Sequence, residues 1–197
     1  MPWMGPPPGW IGGWVPWHVV VMRNANVCAV LTDVHAFPTG ALFTLRVWFR
    51  PGAFRRADGP PEPPLMTSMG AADGPLIGVR FADGRKTALH QPFPSPGAEP
   101  DGPVLTPFGG GGSGAQEQMV LWLWPLPPAG PLSVGTAWPR GGVEETITTV
   151  DGAALVSAAN NAEELWPEEA ASDPWWGVSR SIEIRHDPRA EGRELHD

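Results

Sequence analysis

Basic side chains are scarce in this chain of 197 residues, and lysine occurs only once, as Lys86. The 13 basic residues are outnumbered by 21 acidic ones, which gives a formal net charge of −8. An acidic chain repels the phosphate backbone of nucleic acids, and arginine clusters nowhere beyond the pair Arg55-Arg56. The composition therefore argues against nucleic acid as a partner.

Cysteine and long apolar runs are also nearly absent. Cys28 is the only cysteine, which excludes an internal disulfide and predicts a buried structural thiol. No apolar run approaches the length of a membrane span. The first residues lack the basic segment and the unbroken apolar core of a signal peptide. We therefore predict a cytoplasmic protein that does not interact with membranes.

Proline, glycine and tryptophan are abundant instead, with 26, 25 and 11 residues, while tyrosine is missing. Proline and glycine together make up about a quarter of the chain, close to the level at which disorder becomes common. However, they cluster between apolar runs instead of interrupting them. This distribution favours short strands joined by long turns.

The clearest strand pattern lies at residues 119–124, where both faces of the run are apolar. A strand of this kind should be covered on both sides, so we place it at the centre of an all-β core. A proline-rich link, residues 125–131, joins it to a second apolar run at residues 132–138.

Other stretches show the alternation of half-buried strands, most cleanly residues 43–49. The pair Asp83-Gly84 predicts a tight hairpin turn. We expect loops at residues 52–75 and at residues 91–118, which include the glycine run 109–114. Further strands are predicted at residues 15–22, 27–36, 77–81, 85–89 and 143–150.

One helix is predicted near residues 153–166, capped by Asp151 and stopped by Pro167. The pattern as a whole predicts a mainly β protein, an antiparallel β-sandwich of immunoglobulin-like or jelly-roll type with one C-terminal helix and irregular termini. A single domain at residues 14–166 would lie between an extended arm, residues 1–13, and an acidic, mostly irregular tail, residues 167–197.

Five sequence blocks resemble a set found in uncharacterised actinobacterial proteins. They are HAFPTG at residues 35–40, GVRFADGR at 78–85, GGGGSG at 109–114, WLWPLPPAGP at 122–131 and AWP at 137–139. The scarcity of lysine and the bias toward Ala, Gly, Pro and Arg fit the same high-GC source. The resemblance covers roughly residues 14–166 and implies a shared fold. It implies no activity and no catalytic residue.

Motifs of catalysis and cofactor binding are missing. No lysine follows the glycine run 109–114, so the run does not match a phosphate-binding P-loop. Ser113 lacks the strand–elbow–helix context of a nucleophile. Glu144 and Glu145 are neighbours on a predicted strand, so their side chains point to opposite faces. We expect no catalytic residue and no cofactor.

A metal site is the one catalytic arrangement to weigh. Asp33 and His35 lie two apart and would share a strand face, where a carboxylate and an imidazole can bind one ion. His18 or His90 would have to complete the site, and the usual zinc spacings are absent. We prefer polar residues facing solvent at a strand end.

The tryptophans are the candidate contact residues. Trp48 lies on the polar face of its strand, Trp122 and Trp124 share a face of the central strand, and Trp175-Trp176 lie in the polar tail. Exposed tryptophans can stack against sugar rings or a partner protein. The alternative, which we weigh more heavily, is that the N-terminal arm or the helix covers Trp48 and the Trp122/Trp124 face.

Three functions follow in order of preference. The first is a non-catalytic β-sandwich that acts as an interaction or structural module, with a protein as its partner. The second is a module that binds carbohydrate or another small molecule through the exposed tryptophans. The third is a metal-dependent enzyme with a site around His18, Asp33 and His35.

Overall fold

The computed structural model describes residues 1–52, 74–89, 99–113 and 115–167. Five residues named above, Arg55, Arg56, His90, Trp175 and Trp176, lie outside the described residues, as do residues 53–73 of the predicted loop at 52–75.

Twelve strands and one α-helix are formed by the described residues, which confirms the mainly β fold. The strands are β1 (Trp10–Ile11), β2 (Gly13–Val15), β3 (Val19–Arg23), β4 (Val27–Phe37), β5 (Gly40–Phe49), β6 (Leu76–Arg80), β7 (Lys86–Ala88), β8 (Val104–Ser113), β9 (Gln116–Trp124), β10 (Pro131–Trp138), β11 (Val143–Asp151) and β12 (Glu163–Glu164). The helix α1 is Gly152–Ala159, and a 3-10 turn covers Pro139–Gly141.

The strands form antiparallel sheets that pack as a β-sandwich. The six-stranded sheet has the order β2-β4-β5-β9-β8, and β3 pairs with the same edge of β4 as β2 does. The four-stranded sheet has the order β11-β10-β6-β7, and β1 pairs with β12 in a separate two-stranded sheet.

The core lies between the two larger sheets, as the alternation predicts. Phe43, Leu45 and Val47 on one face of β5 are all buried. In β9, Leu121 and Trp122 point to opposite faces and are both 0% exposed, so the prediction of a strand covered on both sides is confirmed.

Polar contacts tie the two sheets together at their β3 and β10 strands. The Thr136 hydroxyl, which is buried, donates a hydrogen bond to the Val21 carbonyl at 2.5 Å. The Asn24 amide donates to the Gly141 carbonyl at 2.8 Å, just after β10. Each bond joins residues more than a hundred positions apart, so together they set how the sheets stack.

The helix begins as predicted but ends earlier. The Asp151 carboxylate accepts a hydrogen bond from the Ala153 backbone N–H at 2.9 Å, which confirms the cap. The predicted end near residue 166 is wrong because α1 ends at Ala159 and the chain then pairs with β1 through β12. Asparagine favours helix ends, and the Asn161 amide donates to the Ser157 carbonyl. None of the described helices is long and apolar enough to cross a membrane.

The predicted loop at residues 91–118 contains strand β8, so that prediction is wrong. The glycines at 109–112 pair in register with residues 117–120 of β9. Backbone hydrogen bonds hold this strand, and glycine offers no side-chain pattern from which to infer it. Because β8 lies at the edge of the sheet, Pro107 is tolerated there despite its missing N–H.

The run predicted as one strand at residues 15–22 forms two strands. Residues 16–18 separate β2 from β3, and both pair with β4. Proline at position 16 has no N–H to donate to the ladder, which explains the interruption.

Candidate functional site

The N-terminal arm covers part of the outer face of the six-stranded sheet. Trp122 is 0% exposed there, and its indole N–H donates a hydrogen bond to the Pro2 carbonyl at 2.9 Å. The Phe37 ring meets it edge-on, with 5.8 Å between ring centroids. Trp122 is therefore not a surface contact residue, and the alternative of burial beneath the arm is the correct one.

Trp124 is half-buried beside the same arm. Trp3 packs edge-on against it at 6.1 Å between centroids and is itself only 8% exposed. A β-carbon on Gly5 would lie 2.7 Å from the Phe108 ring, so the arm backbone runs close to the sheet. The aromatic face formed by Trp122 and Trp124 is thus occupied by the protein's own tryptophan.

Trp48 is 36% exposed, so the alternative we weigh more heavily, coverage by the arm or the helix, does not hold for this ring. It lies on β5 opposite Gln116 of β9 and Cys28 of β4. Three of the candidate tryptophans, Trp48, Trp122 and Trp124, lie in the described ranges. Of these three, Trp48 is the one exposed enough to contact a ligand.

The metal-site candidates do not converge. A β-bulge between Thr32 and His35 places two β4 residues opposite one β5 residue, and Asp33 and His35 have different hydrogen-bond partners. Asp33 has a φ of 50°, and His35 Nδ1 lies 3.4 Å from the Gly12 carbonyl oxygen. Among the residues that the structure describes, no three His, Cys, Asp or Glu side chains are placed to hold a metal ion.

Asp33 acts as a hydrogen-bond acceptor within the sheet. Its carboxylate accepts from the Thr32 hydroxyl at 2.9 Å and from the Arg46 guanidinium at 2.9 Å. The Thr32 hydrogen bond and the neighbouring Arg46 charge hold the pKa of Asp33 below its ordinary value, although partial burial opposes them. These contacts stabilise the bulge and leave the carboxylate engaged.

A different surface forms an open groove, on the outer face of the four-stranded sheet. Gly78 of β6 and Gly135 of β10 lie directly opposite each other and form its floor, since neither carries a side chain. The groove has a volume of about 520 Å³. We call it the sheet-face groove; its lining residues are Gly78, Val79, Arg80, Lys86, Thr87, Ala88, Ser133, Gly135, Glu145 and Ile147.

Two basic residues lie side by side at one end of the sheet-face groove. Arg80 of β6 and Lys86 of β7 are direct cross-strand partners, and both are exposed. Within the described ranges neither makes an ion pair or a side-chain hydrogen bond. The nearby Asp83 is already bound by Arg85 at 2.8 Å. Glu145 lies on the β11 side, two strands from Arg80.

Apolar and hydroxyl groups complete the sheet-face groove. Ile147, 60% exposed, bounds it at β11, and Leu76, 49% exposed, lies two residues from Gly78 on the same strand face. Ser133 lies across the register from Arg80. Guanidinium and ammonium groups next to hydroxyls recognise carboxylates, so the arrangement is suited to bind an anionic group beside an apolar contact.

The sheet-face groove is not predicted from the sequence, because its lining contains no aromatic residue, no histidine and no cysteine. The available signal was the alternation of residues 76–80 with the hairpin at Asp83-Gly84, which places β6 next to β7. The exact pairing of Arg80 with Lys86 depends on the hairpin register, in which the Phe81 backbone N–H donates to the Arg85 carbonyl.

Comparison with known proteins adds no assignment to this geometry. The resemblance to uncharacterised actinobacterial proteins stays a prediction. No protein-family model, no curated protein and no solved structure matches this chain.

Proposed function

We propose that the protein is a non-catalytic β-sandwich interaction module that binds an acidic segment of a partner protein in the sheet-face groove. The observation that carries this proposal is the cross-strand pair of Arg80 and Lys86, which has no acidic partner among the described residues.

Like charges directly opposite each other on a sheet destabilise it. The chain has eight more acidic than basic residues, so an acidic neighbour for these two cations would be easy to supply. Instead Arg85 engages the nearest acidic side chain, Asp83, and Glu145 lies on the far side of the groove. An anionic partner would neutralise both cations and remove their repulsion.

The shape favours a protein segment over a small molecule. Small-molecule sites enclose most of the ligand surface, whereas Ile147 at 60% exposure and Leu76 at 49% stand open to solvent. The floor at Gly78 and Gly135 allows an extended backbone to approach the sheet closely. Carboxylates of such a segment would meet Arg80 and Lys86, and its apolar residues would meet Ile147 and Leu76.

A labelled acidic peptide with alternating Glu and Leu tests the proposal by fluorescence anisotropy. We expect the acidic peptide to bind with an affinity that falls as the salt concentration rises. A Lys/Leu peptide of the same length should not bind. The double variant Arg80→Ala and Lys86→Ala should weaken binding at least tenfold, since two charge-assisted contacts are lost.

Arg50→Ala is the matched control, because it removes an exposed arginine outside the groove. It should bind the acidic peptide as the wild type does. Equal binding by the wild type and the double variant, or equal binding of the acidic and basic peptides, would overturn the proposal.

Carbohydrate binding at Trp48 is the second candidate, favoured by the 36% exposure of this ring on the outer face of the sheet. Titration of a glycan panel should change the intrinsic tryptophan fluorescence of the wild type and not of Trp48→Ala. If every glycan leaves the emission unchanged, this candidate is wrong.

A further inference from the structure

Strand β11 forms an open edge of the four-stranded sheet. It has nine residues and pairs with β10 alone among the strands that the structure describes. Four consecutive residues, Glu144 to Ile147, are exposed. An unpaired edge of this length presents a row of free backbone N–H and C=O groups to any strand that can align with it.

Natural edge strands are usually protected by proline, charged residues or bulges. In β11 the charges are confined to Glu144, Glu145 and the terminal Asp151, and the bulge lies at the Thr136/Trp138 end of the β10 pairing. The stretch between them, residues 146–150, reads Thr-Ile-Thr-Thr-Val and has none of these protections. Its β-branched residues favour strand pairing.

We propose that β11 pairs antiparallel with β11 of a second copy of this chain, which joins two four-stranded sheets into one of eight strands. The pairing is centred on Ile147, which lies opposite its own counterpart. In this register Glu145 lies opposite Thr149, and Thr146 lies opposite Thr148.

This register is self-complementary in charge and in shape. The two copies of Glu145 lie about 14 Å apart along the strands, so they do not repel at contact distance. Ile147, 60% exposed in one copy, gains an apolar neighbour about 5 Å away on the same face. Opposed threonines are favourable cross-strand pairs. Strand β11 is therefore well suited to pair with a second copy of itself.

The other long edge strand, β8, is a poorer pairing partner for β11 of a second copy. Its glycines at 109–112 offer backbone groups without side-chain contacts, and Pro107 removes one donor. Pairing of β11 with β8 of another copy would also leave both outer edges open and would propagate into fibres. Pairing of β11 with itself closes the assembly at two copies.

The dimer extends the sheet-face groove, and this consequence rests on the proposed function. Ile147 and Glu145 bound each groove at β11, so the partner's strand continues its wall. Five strand spacings then separate the two copies of Arg80, about 24 Å across the joined sheet. One acidic segment of sufficient length would meet both cationic pairs and gain from binding twice.

Sedimentation velocity over a concentration series tests the dimer without any peptide. The mass should rise from 21.1 kDa toward twice that value as concentration increases. Ile147→Lys should stay monomeric, because two lysines would oppose each other at the centre of the pairing. Leu76→Lys should dimerise as the wild type does, because Leu76 is an apolar residue that is 49% exposed but lies on β6, away from β11.

A second measurement tests the register in a Cys28→Ser background. Ile147→Cys should be crosslinked by a short bismaleimide into a covalent dimer. Thr149→Cys should give at least tenfold less crosslinked dimer, because the two copies of residue 149 lie about 14 Å apart.

A monomer at every concentration, a dimer that persists in Ile147→Lys, or stronger crosslinking at Thr149→Cys would overturn the proposal. Peptide binding plays no part in these measurements, so failure of the dimer leaves the proposed function standing. Loss of peptide binding likewise leaves the dimer standing.

Discussion

The outer faces of the two sheets differ in how far other parts of the described chain cover them. On the six-stranded sheet, the arm covers the largest apolar side chain, and Trp122 is 0% exposed beneath it. On the four-stranded sheet, none of the described segments covers the middle: Gly78 and Gly135 form an open floor, and Ile147 is 60% exposed. One face is packed against the arm, while the cations and apolar groups of the other have no partner in the described part of the chain.

The contrast shows where binding capacity lies in this protein. Tryptophan is enriched at binding hot spots, yet on the six-stranded sheet Trp122 is fully buried beneath the arm. The outer face of the four-stranded sheet carries small residues and two cations without an ion pair among the described residues, so it contributes little to the core.

The largest effect is expected at Trp122. Trp122→Ala should lower the free energy of unfolding by about 3–5 kcal/mol, because it removes a fully buried ring and its hydrogen bond to the Pro2 carbonyl. Urea unfolding measures the change. Trp48→Ala, on the same face but exposed, should cost less than about 1 kcal/mol. Similar losses in the two variants would contradict the distinction between covered and open parts of this face.

Trp3 of the arm packs over this face. Its removal should lower the free energy of unfolding by less than the removal of Trp122. Trp3→Ala should lower the free energy of unfolding by about 2 kcal/mol and shift the fluorescence of Trp122 and Trp124 toward the red as water reaches them. Trp3→Phe should retain most of the stability, because the buried Trp3 indole N–H has no partner in the described part of the chain. An unchanged emission spectrum in Trp3→Ala would show that the arm does not shield the face.

On the open face, a substitution should stabilise the protein. Lys86→Glu replaces the like-charge pair with an opposite-charge pair, so we expect a gain of about 0.2–1 kcal/mol by thermal or urea unfolding. The same variant should lose binding of the acidic peptide. A loss of stability, with Arg50→Glu as the comparison, would mean that the two cations do not repel each other.

The smallest effect is expected at Asp33. Its pKa is lower in the folded protein than its ordinary value of 3.8, so its charge adds stability at neutral pH, and that stability is lost as the pH falls through the folded-state pKa. The side chain is 51% exposed, which reduces the contribution to a few tenths of a kcal/mol.

Asp33→Asn isolates this charge, since asparagine also tolerates a φ of 50°. The variant should be slightly less stable than the wild type at pH 7 in urea unfolding, and the difference should vanish well below pH 3.8. A difference that persists in acid would assign the loss to packing instead of charge.

The sequence alone determined the elements whose apolar pattern is strong. Strands β5 and β9, the hairpin at Asp83-Gly84 and the Asp151 cap follow from period-two alternation and turn chemistry, which are local properties of the chain. Strand β8 was not predicted because its glycines have no side chains and so show no alternation. Its position depends on backbone pairing with β9.

Tertiary structure alone decided which side chains are left open. The sequence places Trp122 and Trp48 on similar strands, but only the path of the arm buries the first and spares the second. In the same way, the hairpin register sets Arg80 opposite Lys86, and the strand pairing engages the Asp33 carboxylate with Thr32 and Arg46. Register and coverage arise from contacts between distant segments, and local periodicity contains no information about them.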